Sequence, residues 1–312
     1  MPCYHPQDVV RSKRVSHLKS GKPVTFFGKS RLKKIRLWNS SPRHTEFYEP
    51  EEFQVPGCKP KCVGCQEDYS RTWAVRAWHH SQMHDANCFI TLTFSDEFVP
   101  DTLDHVWFQL FMKRFRRAIS VPISFFMAGE YGSINLRPHF HACIFGFDFP
   151  DKLLWSVRDD VRLYTSEMLG KLWSDPNSGK SYGFSSVGDV TFESAAYIAR
   201  YVGKKALSAD LPPGLRPEYS KCSLKRPIGK SWFHAFRDSV FPCDAVSLRG
   251  GSKCKVPRYY DKQLDTVDPV MHTSIKDVRK ARATNSPNNT PDALRAREVV
   301  KKAQFKMLKR SL

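Results

Sequence analysis

The clearest alternation of apolar and polar residues lies in the middle of the chain. In the stretch 88–94, Ile90 and Leu92 fall on one face of an extended chain, and Thr91 and Thr93 fall on the other. This two-residue period predicts a β-strand. By the same criteria we predict further strands at 123–130, 139–147 and 184–192, and short strands within 236–260.

Apolar residues spaced three and four apart predict helices between these strands. The helix over 66–84 turns Trp73, Ala77 and Trp78 inward, and the helix over 103–119 has a basic face. Because hairpins and single helices join the strands, we expect an α+β fold with a mainly antiparallel sheet. Further helices are predicted at 151–173, 193–206 and 291–312.

Changes in composition divide the chain into four segments. Residues 1–87 combine a basic arm, a cysteine cluster and a helix, 88–206 form the core, 207–275 extend the core, and 276–312 form a basic tail with a linker and a helix. The asparagines, serine and proline at 285–289 are typical of turns and linkers. We therefore expect one main domain with basic segments on either side.

The charge balance indicates a polyanionic partner. The chain has 312 residues, and its 50 Lys and Arg against 31 Asp and Glu give a formal net charge of +19. This favours nucleic acid first and an anionic membrane surface second. The plainer interpretation is a protein with an ordinary cationic surface.

The apolar and cysteine content favours a protein of the cytoplasm. No apolar run approaches the roughly 18–20 residues of a membrane helix, and the N-terminus lacks the apolar core of a signal peptide. Nine cysteines, an odd number, argue against a disulfide framework. We expect no membrane association and a reducing compartment in which thiols bind metal or pack in the core.

Two histidines in a predicted strand form the first candidate site. His139 and His141 are two apart, so both imidazoles project from one face of the strand. Glu130 ends the preceding strand, and a hairpin between the two strands brings its carboxylate to the imidazoles. Two histidines and one carboxylate suit Mg²⁺ or Mn²⁺ with open positions for a phosphate oxygen. The alternative is a pair of hydrogen-bonded histidines without metal.

Two tyrosines in a predicted helix form the second candidate site. Tyr197 and Tyr201 are four apart and share a helix face, and Lys204 or Lys205 lies on or beside that face. A phenolate is a nucleophile for a phosphodiester, and a neighbouring ammonium favours the ionised phenol. The alternative is an amphipathic core helix with tyrosines at its boundary.

A cysteine cluster is the third candidate site. Cys58, Cys62 and Cys65 lie on a loop with glycine and proline, a spacing that suits a structural zinc ion, and Cys3 or His5 supplies the fourth ligand. The same spacing holds an iron–sulfur cluster in radical-SAM enzymes, which require a parallel barrel that the hairpin strands do not predict. Three free thiols are the other alternative.

The order of these motifs resembles a known family. An alternating strand (FITLTF), then HFH in a strand, then YIARYVGKK in a helix is similar to the three motifs of HUH endonucleases, the rolling-circle replication initiators. With CxxxCxxC and SRTWA upstream and GEYG and RPHFH between, residues 1–260 resemble the replication initiators of gokushoviruses, single-stranded-DNA phages of the microvirus family.

The resemblance implies a fold and a set of site residues. The implied fold is a central antiparallel five-stranded sheet flanked by helices. His139 and His141 match the metal-binding pair, and Glu130 matches the upstream carboxylate. Tyr197 and Tyr201 match the two nucleophiles, and Lys204 or Lys205 matches the lysine that follows them. The cysteine cluster lies outside the general HUH pattern, so zinc there depends on its spacing alone.

The resemblance also implies an activity. Such a protein nicks single-stranded origin DNA by metal-assisted tyrosine transesterification, leaving a 5′-phosphotyrosine and a 3′-hydroxyl primer, and later rejoins the strand. Its partners are the viral origin DNA, single-stranded or supercoiled, and the host DNA polymerase and helicase in the bacterial cytoplasm. Two rival classes remain: a non-catalytic DNA-binding or packaging protein, and a different metalloenzyme centred on the cysteines.

Overall fold

The structure is a computed structural model that describes most of the chain. The described residues are 3–12, 25–27, 50–55, 62–132, 135–158, 161–204, 212–284 and 286–307. The chain forms two compact units, Met1–Gln66 with Ala283–Leu312 and Glu67–Arg282. The four segments expected from composition stay a prediction.

The described residues form an α+β fold, as predicted. The strands are β1 (Gln7–Ser12), β2 (Thr25–Phe27), β3 (Pro50–Val55), β4 (Asn87–Thr93), β5 (Ser124–Tyr131), β6 (Pro138–Phe145), β7 (Leu153–Arg158), β8 (Val161–Thr165), β9 (Ser185–Gly188), β10 (Tyr219–Cys222), β11 (Val246–Ser247) and β12 (Lys253–Cys254). The α-helices are α1 (Val63–Ser81), α2 (His105–Ala118), α3 (Glu167–Leu172), α4 (Phe192–Lys204), α5 (Lys230–Val240), α6 (Arg258–Val267), α7 (Pro269–Thr284) and α8 (Pro291–Met307).

The main sheet of the larger unit is antiparallel and has seven strands in the order β10-β5-β6-β4-β9-β8-β7. The expectation of five strands is therefore wrong. The two additional strands lie at the edges, since β10 pairs with β5 at one side and β7 pairs with β8 at the other. Part of the stretch 151–173, which was predicted to be helical, forms β7 and β8 instead, and these strands extend the sheet.

The helix predicted at 151–173 is mostly a hairpin. Strands β7 and β8 fill its first part, and only the short α3 is helical. Val157, Val161 and Thr165 are β-branched, which favours extended backbone. Ser166 ends the hairpin because its side chain caps α3, accepting a hydrogen bond from the Leu169 N–H at 3.0 Å.

The two faces of the main sheet are buried against different helices. On one face, Ile90, Leu92, Phe140, Ala142 and Ile144 form a core with the α2 phenylalanines. This is the apolar face that the alternation in β4 and β6 predicted.

The opposite face carries the histidines of β6 and packs against α1 and α4. Ala128 and Cys143 lie in one buried cluster with Ala77 of α1 and Ala195 and Ile198 of α4. Small residues at these positions let the helices approach the sheet closely. Helix α4 is thereby held over β5 and β6 next to the histidines.

The C-terminal part of the larger unit has its own apolar cluster, centred on Tyr260. Short strands were predicted within 236–260, and β11 and β12 confirm them. Within this part, Arg279 of α7 binds both Asp244 and Asp261. These ion pairs hold α7 against the preceding elements.

The smaller unit contains a three-stranded sheet of order β2-β1-β3 and helix α8. The Thr290 hydroxyl accepts a hydrogen bond from the Ala293 N–H at 3.3 Å, with Pro291 at the first position of α8. This confirms the predicted start of the C-terminal helix. Within the described parts of the chain, no helix has the length and apolar character needed to cross a membrane.

Candidate active site

Strands β5 and β6 bring Glu130, His139 and His141 together. Glu130 and His139 are cross-strand partners, and His141 follows two residues later on the same face. Gly132 donates its N–H to the Arg137 carbonyl at 2.9 Å where the hairpin turns. Glu130 is only 1% exposed, so its carboxylate is buried among these partners.

Three side chains converge on a single carboxylate oxygen. Oε1 of Glu130 lies 3.0 Å from Nε2 of His139 and 2.7 Å from Nε2 of His141. The Tyr197 hydroxyl donates a hydrogen bond to the same oxygen at 2.8 Å. The Tyr197 ring also meets the His141 ring edge to face, with centroids 5.1 Å apart. The predicted metal ligands and one predicted nucleophile therefore form one cluster.

Hydrogen bonds to the other ring nitrogens fix the orientation of both histidines. Nδ1 of His139 lies 3.1 Å from the Arg137 carbonyl, and Nδ1 of His141 lies 2.9 Å from the Thr91 hydroxyl. A carbonyl only accepts, so Nδ1 of His139 carries a proton. The Nε2 lone pair of a neutral His139 then faces a carboxylate oxygen, and this contact requires a cation, either a proton or a metal ion.

Burial and the carboxylate shift the two histidines in opposite directions. Burial lowers the pKa of His139, but the hydrogen bond and charge of Glu130 outweigh it, so this pKa is raised. The pKa of His141 is lowered, because burial outweighs the same carboxylate and the charge of His139 opposes a second proton. The cluster thus favours a single added proton, or a metal ion in its place.

The donor set fits a divalent cation. The ligand atoms of Glu130, His139 and His141 all lie within 4.8 Å of one another. Two ligands at right angles, each about 2.1 Å from a metal ion, are about 3 Å apart. The observed nitrogen–oxygen separations of 2.7 and 3.0 Å match that spacing. Two imidazole nitrogens and one carboxylate oxygen are therefore a donor set that can hold a divalent metal ion.

Helix α4 positions Tyr197 through its N-terminal cap and its buried face. Thr191 and Ser194 cap the helix reciprocally, since the Ser194 N–H donates to the Thr191 hydroxyl at 3.1 Å and the Thr191 N–H donates to the Ser194 hydroxyl at 2.8 Å. Ala195 and Ile198 are buried against the sheet. With both its start and its inner face fixed, the helix holds Tyr197 over Glu130.

The remaining predicted residues of this site are only partly described. Tyr201 and Lys204 lie in helix α4, as predicted, but their side chains lie outside the described part. Lys205 lies beyond the described residues altogether. Their roles stay predictions.

Two residues near the site were missed by the sequence analysis. The guanidinium of Arg200 lies 5.6 Å from the centre of the Tyr197 ring, and Arg200 is exposed on α4. Thr91 orients His141. A signal for Arg200 was its position three residues after Tyr197, which places both on neighbouring turns. Thr91 was predicted to lie on the strand face opposite the apolar core residues. Its pairing with His141 places it on the histidine face of the sheet.

In the smaller unit, three cysteines form a second candidate metal centre. The sulfur atoms of Cys3, Cys62 and Cys65 lie within 4.8 Å of one another, and the Tyr4 N–H donates to Cys62 Sγ at 3.4 Å. Burial first, and then the neighbouring thiols, raise the pKa of Cys65. The Cys65 thiol therefore resists ionisation, and a bound zinc ion would stabilise its thiolate form.

The fourth ligand of this centre is not among the described contacts. Cys58 lies outside the described residues. Nε2 of His5 lies 2.8 Å from the Glu298 carboxylate of α8. Leu294 of the same helix packs in one buried cluster with Cys3 and Cys62. The thiols thus lie where the N-terminal segment, the start of α1 and helix α8 meet.

Comparison with known proteins finds similar proteins among the replication proteins of phages. Residues 87–206 match the family described as replication-associated protein ORF2/G2P. The chain is 36% identical over 211 residues to replication-associated protein VP4 of Bdellovibrio phage phiMH2K, covering 64% of each chain. It is 31% identical over 223 residues to replication-associated protein ORF2 of Spiroplasma virus 4, covering 66% of each.

A third relative is more distant. Replication-associated protein ORF4 of Chlamydia phage 1 is 27% identical over 231 residues, which cover 70% of this chain and 56% of that protein. The chain thus spans a little under two thirds of the length of the first two relatives. No solved structure matches the chain. Residues 87–206, which hold Glu130, both histidines and the tyrosine helix, thus match a family of replication-associated proteins, and the chain is similar to replication-associated proteins of phages.

Proposed function

We propose that this protein is a replication initiator that nicks single-stranded origin DNA through a tyrosine. The observation that carries this proposal is the convergence of His139, His141 and Tyr197 on one buried oxygen of Glu130. A metal-binding triad in contact with a phenol can supply both the Lewis acid and the nucleophile for attack on a phosphodiester. The similar phage proteins are named replication-associated proteins, which agrees with this role.

The first step is an in-line transesterification. The Tyr197 oxygen forms a bond to the scissile phosphorus, and the bond from phosphorus to the 3′-oxygen of the preceding nucleotide breaks. The phenol proton leaves along its hydrogen bond to Glu130, and the departing 3′-oxygen takes a proton from solvent. When bound, Mg²⁺ or Mn²⁺ supplies Lewis-acid polarisation of the phosphate. The products are a 5′-phosphotyrosine and a free 3′-hydroxyl.

The remaining residues of α4 support the later steps. Arg200 lies beside the phenol and faces solvent, where it offsets the charge of the incoming phosphate. Tyr201, one helical turn after Tyr197, acts as the second nucleophile when the origin is regenerated, and Lys204 or Lys205 stabilises the phenolate. Each exchange conserves the energy of the phosphodiester, so rejoining needs no external energy source.

The partners follow from this chemistry. The substrate is the viral origin, melted from supercoiled DNA or already single-stranded, because a duplex is too wide and too stiff to bring the phosphate of one strand into a recessed site. The 3′-hydroxyl primes the host DNA polymerase, with a host helicase to separate the strands. These reactions take place in the cytoplasm of the host bacterium.

Formation of a covalent adduct tests this proposal. The purified protein is incubated with labelled circular single-stranded DNA of its own phage and Mn²⁺, and DNA–protein adducts are resolved in denaturing gels. We expect an adduct with the wild type, loss of the adduct with His139→Ala, and none with the Tyr197→Phe/Tyr201→Phe double variant. Tyr164→Phe, a tyrosine on the opposite face of the sheet, is the matched control and keeps full activity.

Two outcomes would contradict the proposal. An adduct that persists in the double variant removes the tyrosines from the mechanism. Tight DNA binding with no adduct under any metal condition favours the non-catalytic DNA-binding or packaging protein.

We propose in addition that the thiols of Cys3, Cys62 and Cys65 hold a structural zinc ion, with Cys58 or His5 as the fourth ligand. The mutual closeness of three thiols supports this. Elemental analysis of purified protein should find one zinc per chain, absent from Cys62→Ser and present in Cys243→Ser, an exposed thiol. Wild-type protein without zinc contradicts the site. Zinc-dependent nicking that survives His139→Ala would favour the rival enzyme centred on the cysteines.

A further inference from the structure

The hairpin of β7 and β8 exposes more apolar surface than a solvated sheet edge requires. Leu153 is 72% exposed and Trp155 is 55% exposed, and Phe184, just before β9, is 44% exposed. The rings of Trp155 and Phe184 contact each other, with centroids 4.8 Å apart and planes inclined at 48°. Exposed aromatic pairs of this kind mark interaction surfaces more often than scattered apolar residues do.

Strand pairing places this aromatic pair on the face that carries the active site. His139 pairs with Thr93 in the neighbouring strand β4. The carbonyl of Phe184 accepts hydrogen bonds from both the Thr93 N–H, at 3.0 Å, and the Thr93 hydroxyl, at 2.8 Å. One row across the sheet therefore runs from Glu130 through His139 and Thr93 to Phe184.

A second row of cross-strand partners also places Phe184 on the face that carries the histidines. His141 pairs with Thr91, and Thr91 pairs with Ser186 of β9, two residues after Phe184. Residues two apart in extended chain share a face, so Phe184 and Ser186 lie on the histidine side. At the usual strand spacing of about 4.8 Å, Phe184 lies about 10 Å from His139. Helix α4 packs over β10, β5 and β6, whereas Thr93 is partly exposed and Phe184 is exposed.

The backbone at Trp155 explains why its ring lies at the surface. The pairing of β7 with β8 shifts its register between Leu154 and Ser156, so Trp155 is the bulged residue. A bulge redirects the side chain that it carries, and bulges are common beside functional sites. Trp155 has no cross-strand partner in β8, and its indole contacts Phe184 instead.

We propose that Trp155 and Phe184 form a stacking platform for bases of the single strand whose phosphate enters the active site. This inference rests on the proposed nicking function and adds the residues that hold the substrate. Base stacking on aromatic rings is tolerant of sequence and works together with cationic contacts to the backbone. Exposed Arg200 beside Tyr197 supplies charge of the right sign at the active-site end of the path.

A polyanionic strand explains this surface better than an apolar protein partner does. The platform continues directly into the row that holds His139, and the exposed guanidinium of Arg200 lies beside Tyr197 at the end of that path. The substrate of the proposed reaction must cross this part of the face to place a phosphate at Tyr197. A docked protein would close that path.

Fluorescence anisotropy with two probes of equal charge tests the platform. The probes are fluorescein-labelled (dT)20 and an abasic strand of the same length, used with the full-length protein and no added metal. Trp155→Ala and Phe184→Ala should each bind (dT)20 roughly 5- to 100-fold more weakly. Both should bind the abasic strand as the wild type does. Phe236→Ala removes a ring of the same 44% exposure elsewhere in the same unit and should change neither affinity.

Conservative variants separate stacking from loss of apolar surface or of folding. Trp155→Tyr should restore (dT)20 binding, and Trp155→Leu should not. Unchanged (dT)20 binding in both alanine variants would overturn the platform, as would equal losses on both probes. If these variants behave as expected and the wild type forms no adduct, the platform stands and the nicking proposal fails. If adducts form and the alanine variants bind normally, the reverse holds.

Discussion

Thr91 contacts the proposed metal-binding triad of Glu130, His139 and His141 from outside it and bears on its chemistry. A histidine binds metal through Nε2 only when that atom carries a lone pair, which places the ring proton on Nδ1. Nδ1 of His141 lies 2.9 Å from the Thr91 hydroxyl, whose oxygen can accept a hydrogen bond from the Nδ1–H group. The Arg137 carbonyl does the same for His139. Partners of this kind fix the tautomer and raise the basicity of the ligand.

Replacing Thr91 with valine should therefore weaken metal binding without removing a ligand. We predict that Thr91→Val lowers the affinity for Mn²⁺ about 10- to 100-fold, as measured by titration calorimetry. Valine has nearly the same shape, so the fold should persist. Thr165→Val, a threonine of β8 whose hydroxyl donates to the Leu153 carbonyl, is the control and should bind Mn²⁺ normally. Normal Mn²⁺ affinity in Thr91→Val would show that His141 is not a ligand through Nε2.

His80 is a second residue whose environment has a measurable consequence. Burial, and then the charges of His84 and Arg76, lower its pKa from 6.5 to about 4. Its Nε2 lies 2.8 Å from the Ser124 hydroxyl, at the start of β5. The unfolded chain therefore binds a proton at His80 more tightly than the folded chain does. The stability that the neutral ring contributes is complete above pH 6.5 and is lost as the pH falls towards 4.

Acidification should destabilise the protein through this histidine. Between pH 7.5 and 5, we predict that the wild type loses about 2 kcal/mol more of its free energy of unfolding than His80→Gln does. Glutamine retains a polar group at the position of Nε2 but does not titrate. Urea denaturation at the two pH values measures the difference. Equal losses of unfolding free energy in the two proteins would contradict this prediction. They would show that the pKa of His80 does not differ between the folded and the unfolded chain.

At the scale of the elements, the β7–β8 hairpin is the main feature that the sequence did not predict. Apolar periodicity reports burial, and both strands of this hairpin are largely exposed, so neither leaves a clean two-residue alternation. Strand β4 was predicted well for the opposite reason, since Ile90 and Leu92 are fully buried and its threonines are only partly covered. The contact between the exposed Trp155 and Phe184 therefore becomes apparent only from the pairing of strands in the structure.

Gly183 joins this hairpin region to the active-site strand by a close backbone approach. A Cβ atom at Gly183 would lie 2.4 Å from the Thr93 carbonyl oxygen, which no rotation of a side chain relieves. The next residue, Phe184, accepts the hydrogen bonds of Thr93. Any larger residue at 183 must therefore push the aromatic platform away from the histidine row.

Gly183→Ala should both destabilise the protein and weaken DNA binding. We predict a loss of about 1–3 kcal/mol in the free energy of unfolding, from overpacking at this contact. Weaker (dT)20 binding should accompany it. Gly170→Ala, in α3 with no atom within 4 Å of the added Cβ, is the control and should be neutral or slightly stabilising. Equal stability of the two variants would mean that the backbone at Gly183 relaxes freely.

At the scale of the whole molecule, local pattern and chain order predicted the clustering of Glu130, His139 and His141 better than they predicted the sheet. The two-residue spacing of His139 and His141 and the turn before them place three ligands together without any knowledge of the rest. The contact of Tyr197 with Glu130 depends on the packing of α4 across β5 and β6. The order of the motifs suggested this packing, but the local pattern of apolar residues does not predict it. The number of strands depends on edge pairing, which leaves little trace in the sequence.

The net charge of +19 predicts a salt-dependent affinity that is separable from stacking. Each phosphate neutralised on a single strand contributes about −0.7 to the slope of log K against log salt. Arg200→Gln should reduce the slope for (dT)20 by about that amount, and Trp155→Ala should lower the affinity at every salt concentration with the slope unchanged. Anisotropy titrations between low and high NaCl measure both. A reduced slope in Trp155→Ala would assign its effect to charge.

The most direct test of the central claim is to identify the residue that becomes linked to DNA. The protein is reacted with its phage single-stranded DNA and Mn²⁺, the adduct is trimmed with nuclease, and tryptic peptides are analysed by mass spectrometry. Cleavage after Arg200 separates Tyr197 from Tyr201, so the two nucleophiles appear in different peptides. We predict a nucleotide on Tyr197 after the first nick. A nucleotide on a residue outside α4, or no modified peptide from a reaction that cleaves the DNA, would contradict the account.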